Sequence, residues 1–493
     1  MGYSLSYCAS QAGIEFLKKL NEMKKILIVT YFIISCFSVF SQTNITIDST
    51  ITYQTIDGWE AVSNPLEGPT VRDTVLPHID SLLELAVNDV GITRLRYSLK
   101  SGIEDSVDYF TQLMNKTISY DEYKLYRYNK INDNSDPFDI NINGFQYSGF
   151  RDNLDNLIVP FKNLVEANGE DFYFNLCFVD FDNQSNFHHT SNPEEYAEFM
   201  TSAWLFMDSV YNFTPDGLEV ILEPDNADIW DKKHIPPSIA ATGDRMTSLN
   251  FNLEIIAPSV LSLLRIPDYI NEIAGNTVAM NHLDVISYHR YSGNNDTAAQ
   301  QEIVNLANQY GKKTSMLEYD KNGDVNELHY DLKYNNVTAW TKYALMYKSN
   351  EKFAYVYVDA TDSLNPVYDV CDQTKYLRQY FKFIRPGALR IAANTSNTAT
   401  DPVAFINNTG NQVVVIKAEQ GDSIRIHGLS PNEYGVRYTL GNYDWGGVPP
   451  KNYDVAIHNQ KILTGEVLAF KMPDKGVVTV YGINGGSVVS LTE

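Results

Sequence analysis

A chain of 493 residues with 38 Lys and Arg against 61 Asp and Glu carries a formal charge of −23, which argues against nucleic acid or an anionic membrane surface as its partner. The 44% hydrophobic fraction is that of an ordinary soluble protein, and the length exceeds what one core covers, so a large domain with a smaller companion is expected. The 33 tyrosines are many; exposed aromatic rings suit the apolar faces of sugars.

Residues 1–41 read as an upstream extension and a signal peptide. Lys24 and Lys25 follow Met23, an apolar run covers Ile26 to Ile34, and Val39-Phe40-Ser41 offers a cleavage site before Gln42. This predicts a secreted, periplasmic or cell-surface protein. Ile33-Ile34-Ser35-Cys36 also resembles a lipoprotein box, which would make Cys36 a lipid anchor, and the run is too short to span a bilayer. Without residues 1–41 the charge is (38 − 4) − (61 − 2) = −25. Cys177 and Cys371 then remain, and Cys177, inside "FYFNLCFV", reads as a buried free thiol. No metal spacing occurs among the nine His, and neither a metal nor an organic cofactor is expected. A monomer is expected.

In chain order, residues 42–55 form a strand free to join a later β domain. "IDGWEA" (56–61) is the first strand of a strand-and-helix rhythm. Ile79, Leu82, Leu83 and Ala86 mark a helix before "GITRLRYSL" (91–99), and residues 101–147, rich in Tyr, Asn and Asp, form an inserted excursion. Leu154, Leu157, Ile158, Phe161, Leu164 and Val165 give helical spacing stopped at Asn168-Gly169, before the strand "FYFNLCFVDF" (172–181). Asn192 caps a helix with Pro193 in its first turn and Glu194 and Glu195 at its positive end. Then come "DGLEVIL" (216–222), "LEIIAPSV" (253–260), "LDVISYHRY" (283–291), a helix Thr297–Tyr310, "TSMLEYD" (314–320) and, as eighth strand, "FAYVYVD" (353–359). Eight such units predict a (β/α)8 TIM barrel over 56–385. After "RPG" (385–387), short alternating strands predict a β-sandwich over 386–493.

Chemistry in such a barrel gathers where the strands end at their C-termini. Glu223 closes strand four and Glu318 closes strand seven, on opposite sides of the mouth. A pair of carboxyl groups flanking one small group is what glycosidic cleavage needs, one to protonate the leaving oxygen and one to attack or to activate water. Either glutamate could equally be the solvated end of a strand.

Several stretches are similar to glycoside hydrolase family 30 of the retaining (β/α)8 clan. "QTIDGWEA" (54–61) resembles its first strand, "GITRLRYSL" its second, "YHRY" its sixth, and "QYFKFIRPGALRI" (379–391) its last barrel helix and exit. The resemblance implies a polysaccharide or glycoconjugate substrate. It makes Glu223 the general acid/base, protonated at rest, and Glu318 the ionised nucleophile. It places Arg96 in the sugar site and gives Tyr291 a hydrogen bond to the nucleophile, with His289 its partner in the motif. Leu222 stands where the family has the Asn that meets the sugar 2-hydroxyl; Asn226 is a candidate substitute, or else a helix cap. His289 could be a core residue, and Trp59 and Trp230 could be sugar platforms or core. A non-catalytic glycan-binding protein on the same barrel is the alternative that Leu222 favours.

Overall fold

In the computed structural model, which describes residues 42–181, 185–294, 296–441 and 452–483, β1 (Gln42–Thr55) leads into a closed ring. The ring runs β2 (Gly58–Val62), β3 (Arg94–Lys100), β4 (Tyr173–Val179), β5 (Gly217–Glu219), β6 (Glu254–Ser262), β7 (Leu283–Ser292), β8 (Lys313–Glu318) and β9 (Val337–Tyr347). Each strand pairs in parallel with the next, and β9 pairs with both β8 and β2 to close it. The expected signal peptide and Cys36 lie outside the described residues. Among the described residues no helix is long and apolar enough to cross a membrane.

The eighth strand differs from expectation. Val337–Tyr347 closes the ring, with Trp340 opposite Met316 on one side and Trp59 on the other. The run read as strand eight is β10 (Ala354–Asp359), which pairs with the far end of β9 and turns back into β11 (Val367–Val370). Two neighbouring apolar runs compete here, and periodicity cannot choose between them. β9 is buried along nearly its whole length, so it lacks the polar alternation that marks a half-exposed strand, and only Asn335-Asn336 separates it from the helix Val325–Tyr334.

The remaining strands are β12 (Leu389–Thr395), β13 (Thr400–Ile406), β14 (Gln412–Ala418), β15 (Asp422–His427), β16 (Asn432–Leu440), β17 (Asn452–Ile462), β18 (Leu468–Met472) and β19 (Gly476–Gly482). With β1 between β12 and β15 they make one mostly antiparallel sheet. This sheet folds over its own apolar face: Tyr438 of β16 donates its hydroxyl to the Lys471 carbonyl of β18 at 3.1 Å, and Ile45, Val414, Ile424, Val436 and Leu468 share one core.

The helix Asp372–Phe381 joins barrel and sandwich. Gln379 hydrogen-bonds Thr439 (2.8 Å) and Thr479 (2.8 Å) on the sandwich side. On the barrel side the Trp59 ring stacks on Phe381 at 4.5 Å and its indole N–H reaches the Ile384 carbonyl at 2.7 Å. Trp59 is therefore a core residue behind the barrel wall, fully buried, and not a sugar platform: its neighbour Glu60 takes the inward position, and strand alternation turns Trp59 outward.

The 101–147 excursion contains two short helices, Tyr109–Met114 and Tyr120–Tyr126, the second closed by a capping box between Ser119 and Glu122. It is fastened by the buried pair Lys130–Asp180 at 2.9 Å, with Ser101 donating to the same Asp180 oxygen at 2.9 Å. Asp180 directly follows β4, so this attachment makes the excursion one wall of the barrel mouth.

Candidate active site

The local sequence that positions Glu223 is "LEPDN". Leu222 donates its amide to the Phe178 carbonyl at 2.9 Å and Glu223 to that of Ser259 at 3.1 Å, which ties the end of the fourth strand to both neighbours. The Asp225 carboxylate accepts the amides of Leu261 (2.7 Å) and Ser262 (3.0 Å). Between these anchors Glu223 adopts φ = 47°, a left-handed conformation that costs a non-glycine residue about 1–3 kcal/mol and persists only where its surroundings enforce it. The turn aims the carboxyl group across the mouth.

Glu318 ends β8 on the other side. The Arg96 guanidinium bonds one of its oxygens, and the Tyr291 hydroxyl donates to the other at 2.9 Å. Arg96 is shared: its second terminal nitrogen lies 3.4 Å from Glu219, a fully buried carboxylate on β5. Glu219 in turn accepts from Asn175 at 3.1 Å, and Glu60 below it pairs with Arg94 at 3.2 Å. A polar column thus fills the barrel from its interior to its mouth. Glu219, Glu60, Arg94 and Asn175 escaped the sequence reading, although an acid in the apolar run "LEVIL" is a signal that could have flagged Glu219.

Arg96, Glu223, Glu318, His289 and Tyr291 converge. An oxygen of Glu223, an oxygen of Glu318 and a ring nitrogen of His289 all lie within 4.8 Å of one another. His289 Nδ1 is 2.9 Å from Glu223, and Asn226 donates its amide to the other Glu223 oxygen at 3.0 Å. Both oxygens of each carboxylate are therefore already engaged by donors of the protein, and Arg96 supplies the compensating charge.

Burial by itself raises the Glu223 carboxyl, but the hydrogen bond and charge of His289, aided by Asn226 and Arg96, outweigh it and hold the group below its ordinary value. Burial likewise disfavours charge on His289, yet its bond to Glu223 and the charges of Glu318 and Glu223 raise it. The shared hydrogen bond thus favours the carboxylate on one side and the protonated ring on the other. These directions run against the expectation of a protonated Glu223, because the His289 ring lies at hydrogen-bond distance from its carboxyl group.

Asn226 is exposed at the mouth and holds Glu223. Trp230 is 4% exposed, packs edge-on against Phe178 and Tyr196, and its indole nitrogen lies 3.3 Å from Asp180. Its ring faces are covered, which corrects the sugar-platform expectation. Tyr120, Tyr343, Tyr347 and Phe353, rings not singled out in the sequence, line a cavity of about 400 Å³ beside the ends of β2 and β9.

No family model matches the chain, and no curated protein matches its sequence. Solved structures do. The GH30 xylanase C catalytic domain from Talaromyces cellulolyticus superposes with TM-score 0.62 at 15% identity over 90% of this chain and 100% of that one. A GH30 endoxylanase from Clostridium papyrosolvens gives TM-score 0.60 at 16% identity, covering 89% and 99%. The endo-β-1,6-glucanase BT3312 gives TM-score 0.60 at 15% identity, covering 91% and 94%. The fold of this chain, TIM barrel and β domain together, is the fold of family 30 glycoside hydrolases.

Replacing Arg96 with Met leaves Glu219 and Glu318 buried without their cation and is expected to cost about 3–5 kcal/mol of unfolding free energy. Urea denaturation of the folded protein measures it; a loss below about 1 kcal/mol would contradict the shared-cation arrangement.

Proposed function

We propose that the protein is a secreted retaining β-glycoside hydrolase acting on a polysaccharide or glycoconjugate, with Glu318 as nucleophile and Glu223 as acid/base. The observation that carries the reading is the approach of the two strand-end carboxylates to within 4.8 Å. Retaining enzymes hold their carboxyl groups about 5–5.5 Å apart, whereas inverting enzymes leave about 6.5–9.5 Å for a water. The family 30 fold of the solved neighbours supports the same class.

In the first step a Glu318 oxygen attacks the anomeric carbon while the glycosidic C–O bond breaks. The proton shared by His289 and Glu223 passes through Glu223 to the leaving oxygen, which leaves Glu223 ionised and His289 neutral. Arg96 and Tyr291 each donate to one Glu318 oxygen, so the attacking oxygen bonds carbon through a lone pair that its donor does not occupy. In the second step Glu223 removes a proton from water, the water oxygen attacks the same carbon, and Glu318 departs as carboxylate. Two inversions give net retention. No cofactor enters this chemistry. Tyr343 and its neighbouring rings are the surfaces on which further sugar units stack.

A glycan-binding protein without turnover is the second reading, and Leu222 is the observation that favours it. An apolar side chain there forgoes a 2-hydroxyl contact that strengthens in the transition state. Binding of oligosaccharides without product release would establish it.

Glu318→Gln is expected to abolish hydrolysis. Glu223→Gln should slow natural substrates by about 10²–10⁴-fold but leave aryl glycosides with activated leaving groups largely cleaved; equal losses on both would reject the assignment. The pH profile follows from His289. Its raised pKa means that the pair keeps its proton below that value and loses it above, so the alkaline limb of kcat/KM lies above the ordinary imidazole value of about 6.5. His289→Asn should move that limb to lower pH, and an unmoved limb would mean that the proton comes from elsewhere.

A further inference from the structure

The excursion after β3 and the loop after β2 meet on one side of the mouth, around the cavity of about 400 Å³. That volume falls in the range of about 300–1,000 Å³ that small-molecule sites occupy. Strand register sets its place in the ring. Val62, where β2 ends, lies opposite Arg96 of β3 on one side and Ala344 of β9 on the other. Tyr343, beside Ala344, lines the cavity, and burial together with the nearby Glu318 carboxylate pushes its hydroxyl up. Glu223 follows β5, across the ring. The cavity therefore flanks the Glu318 side of the mouth and not the Glu223 side.

Its walls combine two chemistries. Tyr343, Tyr347 and Phe353 bring rings from the β9 side, and Tyr120 brings one from the excursion. With them stands the Glu67 carboxylate, which accepts from Arg127 Nη1 at 2.6 Å and from Lys100 at 2.7 Å. Burial raises the Glu67 carboxyl, but the charges of Lys100 and Arg127 outweigh it and hold the group below its ordinary value. A guanidinium carries five N–H donors, so the bond to Glu67 spends only part of what Arg127 offers. Its backbone is fixed as well: the Arg127 amide donates to the Tyr123 carbonyl at 2.9 Å, and its carbonyl accepts from the Gly102 amide at 3.2 Å. Aromatic faces beside a fixed guanidinium match a sugar ring, whose faces are apolar and whose rim carries hydroxyls.

We propose that Tyr120 and Arg127 make this cavity the subsite for a second sugar ring on the glycone side, so that the substrate carries at least two units before the scissile bond. The inference rests on the proposed role of Glu318 as nucleophile. The ring it attacks lies beside it and the leaving group lies toward Glu223, so the next ring toward the non-reducing end falls on the Glu318 side, where the cavity is. There Tyr120 stacks on the ring and Arg127 donates to its hydroxyls. The protein then cuts within chains or releases units of two or more, and single sugars are not its product. The excursion supplies specificity without touching the reacting atoms, and binding a remote ring lets its energy serve the reacting centre.

The test compares, on the whole protein, 4-nitrophenyl glycosides of glucose, xylose and galactose with those of the corresponding β-linked disaccharides. For the sugar that is accepted, kcat/KM should be at least about ten-fold higher on the disaccharide. Arg127→Gln and Tyr120→Ala should each lower that ratio at least about three-fold. A ratio near one in the parent, or an unchanged ratio in both variants, would overturn the proposal and leave the hydrolase reading intact. So would equal losses on both substrates, the mark of residues that only support the fold. If Arg127→Gln fails to fold, Tyr120→Ala, which keeps the ion pairs of Glu67, and the parent ratio decide. If no glycoside is cleaved, the hydrolase reading fails and calorimetry with β-linked trisaccharides of the same sugars decides. Binding that both substitutions weaken at least about three-fold keeps the subsite, and absent or undiminished binding removes it.

Discussion

A single guanidinium, shared between two carboxylates that would otherwise be buried without a cation, is the constraint on which the mouth of this barrel depends. Arg96 lies on β3, Glu219 on β5 and Glu318 on β8, so the contact unites strands far apart in sequence and fixes one carboxyl group where β8 ends. Desolvating three charges is expensive, and only close pairing in a water-poor interior compensates for it. The column beneath, from Glu219 through Asn175 to Glu60 and Arg94, distributes that cost along the lumen. It also leaves Arg96 no alternative position. Glu318 inherits its orientation from this column and its second donor from Tyr291.

Glu223 is held by different means. Backbone bonds and the Asp225 carboxylate impose a left-handed turn on it, and His289 and Asn226 take its two oxygens. One carboxylate is thus clamped by a permanent charge and the other by a titratable one. In the proposed two-step hydrolysis that asymmetry gives the proton exchange to Glu223, the group beside histidine. Leu222 is half-buried next to this turn, and Asn226 lies on the solvent side of Glu223.

The barrel was legible because parallel strands buried on both faces read as apolar runs at regular intervals. Seven of its eight strands fall on runs recognisable in the sequence; the eighth does not, because β9 and β10 are both apolar and adjacent. The carboxylates were legible through their positions at strand ends, and Arg96, His289 and Tyr291 through short stretches resembling family 30. Proton placement was not legible, since it depends on the 2.9 Å approach of His289 to Glu223, which only folding creates. Trp59 and Trp230 were ambiguous for a related reason. A tryptophan near a strand end can face substrate or core, and the stacking of Trp59 on Phe381, more than three hundred residues away in the chain, is a tertiary fact.

The central claim is that two carboxylates within 4.8 Å act through a covalent intermediate and not through a bridging water. Proton NMR of the earliest product formed from a β-linked oligosaccharide, recorded before mutarotation, tests it most directly. The account predicts that the β-anomer appears first and equilibrates afterwards. First appearance of the α-anomer would contradict it.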